Sequence, residues 1–344
     1  MPSPRQRLVL LFDGTWMDSD ERTNVFRMAA AIAPGDGTVR QRFFYQPGVG
    51  TRFGSKALGG ATGAGLTDIL VEGYEWLARR YEEGDEVWVF GFSRGAYTAR
   101  SLVGMLRKCG LMRVVTPTAI RDALDLYRDK DIRPDSESTR RFQNHFARPE
   151  VAITFLGVWD TVGALGVPGT TILNREQFEW HDTKLSRIVR RAYHAVALDE
   201  HRHEFDVSLW VDRPDRVQAD VEQRWFIGSH GDVGGGCPDD RLASISLRWM
   251  QDKAMAAGLR LAGACTPDPD AHRAPVFDSY ATFCGGAYPW FNALHPGRKG
   301  RLARLLREHP TRREAALGVT IDPSVYARMA ADPSYDPLPL RRGG

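Results

Sequence analysis

Gly91-Phe92-Ser93-Arg94-Gly95 fits the pattern G-x-S-x-G, the sharp turn that lifts a serine off the end of a strand onto the start of a helix. The glycines have a steric reason, because side chains at Gly91 and Gly95 would collide with the neighbouring strand or helix. The turn also sets the serine at a helix N-terminus, whose unpaired N–H groups and partial positive charge favour a developing oxyanion. A serine that merely caps the helix is the plainer reading. A hydroxyl is a weak nucleophile, so a histidine base and an orienting carboxylate are required, in the chain order Ser, Asp, His. Asp160 closes the apolar run Val151–Trp159, and parallel strands all finish at one sheet edge, which would bring it to the side of Ser93; an Asx turn is its plainer reading. His230 sits in the glycine-rich stretch Gly228–Gly236, whose backbone freedom would let an imidazole approach Ser93. His194, His201 and His203 fall in or after a helical segment and read as surface or packing residues, and the remaining histidines lack strand-end context.

An oxyanion hole takes one N–H from the residue after the nucleophile, Arg94, and another from a loop after an earlier core strand. Asp13-Gly14-Thr15 fills that place, with Gly14 or Thr15 as donor. Asp13 is acceptor-only and would hold the loop in shape. Asp13, Gly91, Gly95 and Asp232 are thus expected as supports, and ester hydrolysis through an acyl-enzyme follows, with no cofactor and no metal. The alternative is a metal-dependent phosphoesterase that uses Asp13, Asp160, His230 and Asp232 as ligands, which leaves the serine turn unexplained. A nucleotide-binding module on Gly59–Gly65 lacks the lysine and hydroxyl of a phosphate loop. An inactive scaffold conflicts with the intact triad candidates.

These residues need a sheet to carry them. Arg7–Phe12, Val87–Phe90 and Val151–Trp159 read as strands buried on both faces, with Phe43–Tyr45 a shorter one before the loop Gln46–Thr51 and Gln223–Ile227 a later one. Apolar positions recur at helical spacing from Leu66 to Tyr81 and from Ala96 to Cys109, and Leu185–Leu198 reads as a further helix. Val114–Arg148 is expected as a helical insertion, and pocket walls are expected from there and from Ala264–Ala293. Strands alternating with helices give an α/β fold of the α/β-hydrolase type, mainly parallel with helices on both faces. The chain reads as one domain over 1–344, with a core over 7–250, the insertion at 114–148 and a C-terminal extension over 251–344.

Composition bounds the rest. Hydrophobic residues make up 42% and charged residues 26%, as in ordinary globular proteins. The net charge of +3 disfavours nucleic acid as principal partner. Arg298–Arg313 does concentrate positive charge, which suits an acidic membrane surface or a phosphate-bearing substrate, though a solvated helix face is the plainer reading. Cys109, Cys237, Cys265 and Cys284 show no paired spacing and are expected as reduced, mostly buried thiols. No stretch reads as a signal peptide or membrane span, so a cytoplasmic location is expected, with any export by a signal-independent route.

The blocks Phe12–Trp16, Gln46–Thr51, Gly91–Arg100, Val158–Gly163, Ala197–Glu200 with Arg202 and Phe205, and Trp225–Gly236 together resemble the catalytic-domain family of type VI secretion phospholipase effectors. The resemblance runs from Leu8 to Trp249. It implies an α/β-hydrolase core with its triad on Ser93, Asp160 and His230, and phospholipid acyl esters as a substrate class.

Overall fold

The computed structural model describes residues 6–14, 22–35, 37–48, 63–163, 185–211, 217–218, 220–294, 300–302, 308–309 and 312–340. Strand β1 (Gln6–Phe12) explains the architecture in miniature. Leu8, Leu10 and Phe12 enter one core cluster and Val9 and Leu11 the other, because successive side chains leave a strand on opposite faces. A strand buried on both faces requires helices on both sides of its sheet.

Those helices are present. On the first face α2 (Gly63–Ala78) and α3 (Arg94–Cys109) supply Leu70, Tyr74, Leu77, Ala99 and Leu102. On the second, α1 (Asn24–Ala31) supplies Val25 and Met28, and a long helix at Arg241–Ala256 supplies Leu247 and Met250. Between them lie β2 (Arg40–Gln46), β3 (Glu86–Phe92), β4 (Ile153–Trp159), β5 (Arg191–Ala197) and β6 (Asp220–Phe226). Residues 114–148 carry α4 (Pro117–Arg128) and α5 (Glu137–Phe146). Each is started by a hydroxyl that accepts a first-turn N–H, Thr116 for α4 and Ser136 for α5, as N-caps do.

A ribbon of β7 (Glu308–His309) and β8 (Arg312–Ala315) stands apart, and β9 (Val319–Ile321) joins the main sheet. The sheet order is β2-β1-β3-β4-β5-β6-β9, and every pairing in it is parallel. The chain runs outward from β1 to β2, then returns to place β3 on the other side of β1. That reversal opens a crevice at the carboxyl ends of β1 and β3, where α/β sheets hold their sites.

Two expectations, the helix over 185–198 and the burial of the cysteines, need correction. Residues 191–197 form a central strand and not a helix: all but Arg191 are buried, so the two-residue alternation that marks a half-exposed strand is absent. His194, in that strand, is fully buried. Of the cysteines, all free, only Cys109 is buried; Cys237 and Cys265 are half-buried and Cys284 is exposed. Among the described residues no helix is long and apolar enough to cross a membrane.

Candidate active site

The register places the strand ends side by side: Phe12 pairs with Gly91, Gly91 with Val158, Trp159 with Ala195 and Ala197 with Phe226. Ser93 follows β3 and Asp160 follows β4, so both emerge at one edge. Ser93 caps α3 at φ 59° and ψ −124°, without a side-chain capping bond, and its N–H donates to Trp159 O at 3.0 Å. The glycines of the turn are sterically required. A Cβ on Gly91 would lie 2.6 Å from Gly95 O, and one on Gly95 would lie 2.2 Å from Phe12 O. The reading of the serine as a helix cap by its side chain therefore finds no bond.

Asp160 also holds a positive φ, 35°. Its N–H donates to Ala195 O at 2.7 Å, its Oδ1 accepts the Ala197 N–H at 3.0 Å, and its Oδ2 lies 2.7 Å from His230 Nδ1. A carboxylate only accepts, so Nδ1 carries the proton and Nε2 is left as a base. That Nε2 is buried and has no hydrogen-bond partner. The imidazole lies 4.6 Å, ring to ring, from Phe92, the residue before Ser93, and 5.0 Å from Phe205. Burial pulls the His230 pKa below its ordinary 6.5, against the opposing hydrogen bond and charge of Asp160. No hydrogen bond joins Ser93 Oγ to Nε2 in this state; such bonds are often long without substrate and tighten when it binds.

His230 does not lie in a free glycine loop, as its neighbours suggested. It opens a five-residue helix, His230–Gly234, after Ser229. Asp232 fixes that start: its Oδ2 accepts the Ser229 N–H at 2.9 Å, the Ser229 hydroxyl at 3.0 Å and the Phe277 N–H at 2.9 Å. Gly234 is needed because a Cβ there would fall 1.9 Å from the Phe92 ring.

Glu200, unassigned by residue chemistry alone, is a second support of His230. It is fully buried, accepts the His230 N–H at 3.2 Å and the Ser279 hydroxyl at 2.9 Å, and pairs with the buried Arg202 at 2.8 Å. The Arg202 guanidinium in turn covers the Phe205 ring at 3.5 Å. His194 was missed as well: its Nε2 accepts the Thr161 N–H at 3.1 Å and its Nδ1 faces Gln223 Oε1 at 3.2 Å, which fixes the backbone just after Asp160. A histidine inside a strand buried on both faces carries no periodic signal that could reveal this.

At the β1 end, Asp13 is buried and accepts from Thr23 Oγ1 at 2.5 Å, Tyr45 Oη at 2.8 Å and Gly14 N–H at 2.7 Å. Burial raises its pKa to about 6. These bonds tie the end of β1 to Thr23 and Tyr45. They also take up the Gly14 N–H that was expected to face an oxyanion, and Thr15 lies outside the described residues. Arg94 begins α3, and burial lowers its guanidinium to about 10. Asp13, Asp160, His230 and Asp232 do not form a ligand set: Asp13 is tied to Thr23 and Tyr45, Asp160 to His230, and Asp232 to Ser229 and Phe277. Among the described residues no cluster of three such groups could hold a metal.

An uncharacterized protein of Saccharomyces cerevisiae is 30% identical over 238 residues, which cover 62% of this chain and 34% of that protein. The chain thus spans about a third of the length of this curated relative. Among solved structures, an uncharacterized Pseudomonas aeruginosa protein is similar at 21% identity and TM-score 0.45, over 85% of this chain and 51% of that one. The Tle1 effector bound to the VgrG spike of the type 6 secretion system is similar at 17% identity and TM-score 0.41, over 68% and 52%. Residues 6–253 match the family described as T6SS, phospholipase effector Tle1-like, catalytic domain, a match that takes in every strand of the sheet from β1 to β6 and all of Ser93, Asp160 and His230; the chain belongs to that family of hydrolase domains.

Proposed function

We propose that the protein is a serine hydrolase of carboxylic esters, with phospholipid acyl esters as its substrate class. Ser93 is the nucleophile, His230 the base and Asp160 the group that orients it. The observation that carries this reading is the buried His230: its Nδ1 is held by Asp160 at 2.7 Å while its Nε2 is unpartnered, stacked beside the residue that precedes Ser93. In the proposed reaction, rotation of the Ser93 side chain brings Oγ to Nε2, which takes its proton as Oγ attacks the ester carbonyl. The imidazolium, stabilised by Asp160, then protonates the departing alcohol. Water activated by the same Nε2 releases the acid and restores Ser93. The Arg94 N–H at the start of α3 is the proposed oxyanion donor.

Two things support a lipid ester. The family is named for phospholipase effectors. Trp290, Phe291 and Leu294 are exposed by 64%, 54% and 63% on the helix Tyr288–Leu294, a clustering of large apolar groups of the kind that meets a membrane. That helix connects to the site through Tyr288, Phe283 and Phe205, whose rings stand 5.5 and 5.6 Å apart in turn.

The test is labelling with a fluorophosphonate probe, comparing wild type with Ser93→Ala and His230→Ala in the presence and absence of chelator. Chelator-resistant labelling that both substitutions abolish is the expected result, followed by release of fatty acid from phospholipid vesicles. Equal labelling of Ser93→Ala and wild type sinks the assignment.

A further inference from the structure

A cavity of about 390 Å³ runs along α3, from Tyr97 to Lys108, against the C-terminal end of α4 and the residues after β4. Ser93, Asp160 and His230 do not line it. Tyr97 lies one helical turn beyond Ser93, its N–H donating to Ser93 O at 3.2 Å.

Its lining is strongly cationic. Arg100, Arg107, Lys108, Arg128, Lys130 and Arg133 face it, and Asp129 is the single acid among the described residues that do. Asp129 Oδ1 is already occupied by the N–H groups of Asp131 and Ile132, at 2.9 and 3.2 Å. Arg107 is partly neutralised by Asp135. Lys108 is buried and bonds through Nζ to the carbonyls of Asp129 and Tyr127, and among the described residues no carboxylate lies at salt-bridge distance from it. Arg100 donates to Ser208 O at 2.5 Å and lies over the Trp210 ring at 5.4 Å. The lining also includes the apolar side chains of Val103, Leu156 and Trp210.

A second, independent feature points to a ligand. Thr161 lines the cavity, is 1% exposed, and its Oγ1 has no hydrogen-bond partner. Ser186 Oγ, in another lining residue, is buried and unpartnered too. Buried hydroxyls are ordinarily satisfied, and both of these belong to residues that line a cavity rich in cations. An oxyanion supplies acceptors for hydroxyl, ammonium and guanidinium together. The volume falls in the range of organic-ligand sites, about 300–1,000 Å³, and the apolar side chains would cover a hydrocarbon body.

We propose that this cavity binds a phosphate monoester carrying an apolar chain. The phosphate lies among Thr161, Arg100 and the rim cations Lys130 and Arg133, and the chain lies on Val103, Leu156 and Trp210. Because Thr161 directly follows Asp160, occupancy of this cavity is felt one residue from the acid of the proposed triad.

The probe is hexyl phosphate, which has no carboxylic ester and cannot be turned over, so the measurement stands whatever Ser93 does. Calorimetric titration of the full chain is expected to show saturable binding of hexyl phosphate, with inorganic phosphate at least about tenfold weaker and hexanol not bound. Lys130→Ala combined with Arg133→Ala, both exposed positions, is expected to weaken hexyl phosphate about tenfold. Thr161→Val removes a hydroxyl that makes no bond in the protein, so it leaves the fold intact or slightly more stable and weakens the ligand alone. Binding that neither variant changes, or no binding, overturns the proposal. Equal affinity for inorganic and hexyl phosphate overturns its apolar half and leaves a site for free phosphate.

Discussion

Ser93 and Asp160 both hold positive φ angles, 59° and 35°, where a side chain is disfavoured by about 1–3 kcal/mol. Both turns are pinned by backbone bonds, Ser93 N–H to Trp159 O and Asp160 N–H to Ala195 O, so neighbouring strands enforce the two side-chain directions. His230, the proposed base, is tuned by opposing effects. Burial favours neutral imidazole and the Asp160 carboxylate favours imidazolium, with burial the larger and the pKa below 6.5. A base works only when neutral, so kcat/KM is expected to stay level as pH falls to 6.5 and to decline only below it. Asp160→Asn accepts the left-handed backbone, which asparagine tolerates, and removes the charge that holds the pKa up. On the proposed mechanism the acid limb then moves further down while kcat falls about 10⁴-fold, as in serine hydrolases that lose their triad carboxylate. A pH–rate profile of both proteins checks this, and an acid limb above pH 6.5 in the wild type contradicts it. Ser93, Asp160 and His230 were legible as candidates because each follows an apolar run or sits among glycines. Glu200 and His194 were not, because what they do depends on strands that meet only in the fold.

At the scale of elements, the misread strand and the overlooked carboxylate are neighbours. Residues 191–197 carry alanine, valine and histidine at spacings that suit a helix as well as a strand, and burial on both faces removes the pattern that would decide. β3 was legible for the opposite reason: Gly91 near its end and Gly95 at the start of α3 are glycines whose added Cβ atoms would strike Gly95 O and Phe12 O, a constraint that the sequence displays openly. After β5 the chain turns through Glu200, which ties three elements together by accepting from Arg202, His230 N–H and Ser279. Glu200→Gln leaves the Arg202 guanidinium buried without a charged partner. Breaking a buried pair in this way destabilises by about 3–5 kcal/mol, so a clear fall in the urea midpoint is expected at unchanged slope. An unchanged midpoint would show that Arg202 finds solvent or another partner. Rescue is not expected from Arg202→Gln alone, since that substitution leaves the Glu200 carboxylate buried in its place.

For the whole molecule, the informative fact is where the last strand of the sheet comes from. β9 lies far down the chain, yet it pairs with Gln223–Trp225 in the same parallel sense as the rest. The buried Gln223 bridges the two segments, its Nε2 donating to Leu317 O at 2.6 Å and to Trp210 O at 2.8 Å. Asp322 N–H donates to Trp225 O at 2.9 Å, and Val325, in the helix Pro323–Ala331 that follows, is fully buried in a cluster with Val196 and Trp225. Removing this segment would expose the β6 edge, strip the Leu317 carbonyl from the Gln223 amide, and uncover the outer side of the strand whose end leads to His230. Unpaired edges and unsatisfied buried amides are both costly, so the core and the C-terminal part are proposed to unfold together as one domain. Scanning calorimetry of the full chain is expected to give one transition that coincides with loss of far-ultraviolet circular dichroism and with the change in tryptophan fluorescence. Two separated transitions, with fluorophosphonate labelling of Ser93 surviving the first, would instead make the C-terminal part a dispensable addition to a core that ends near the helix Arg241–Ala256.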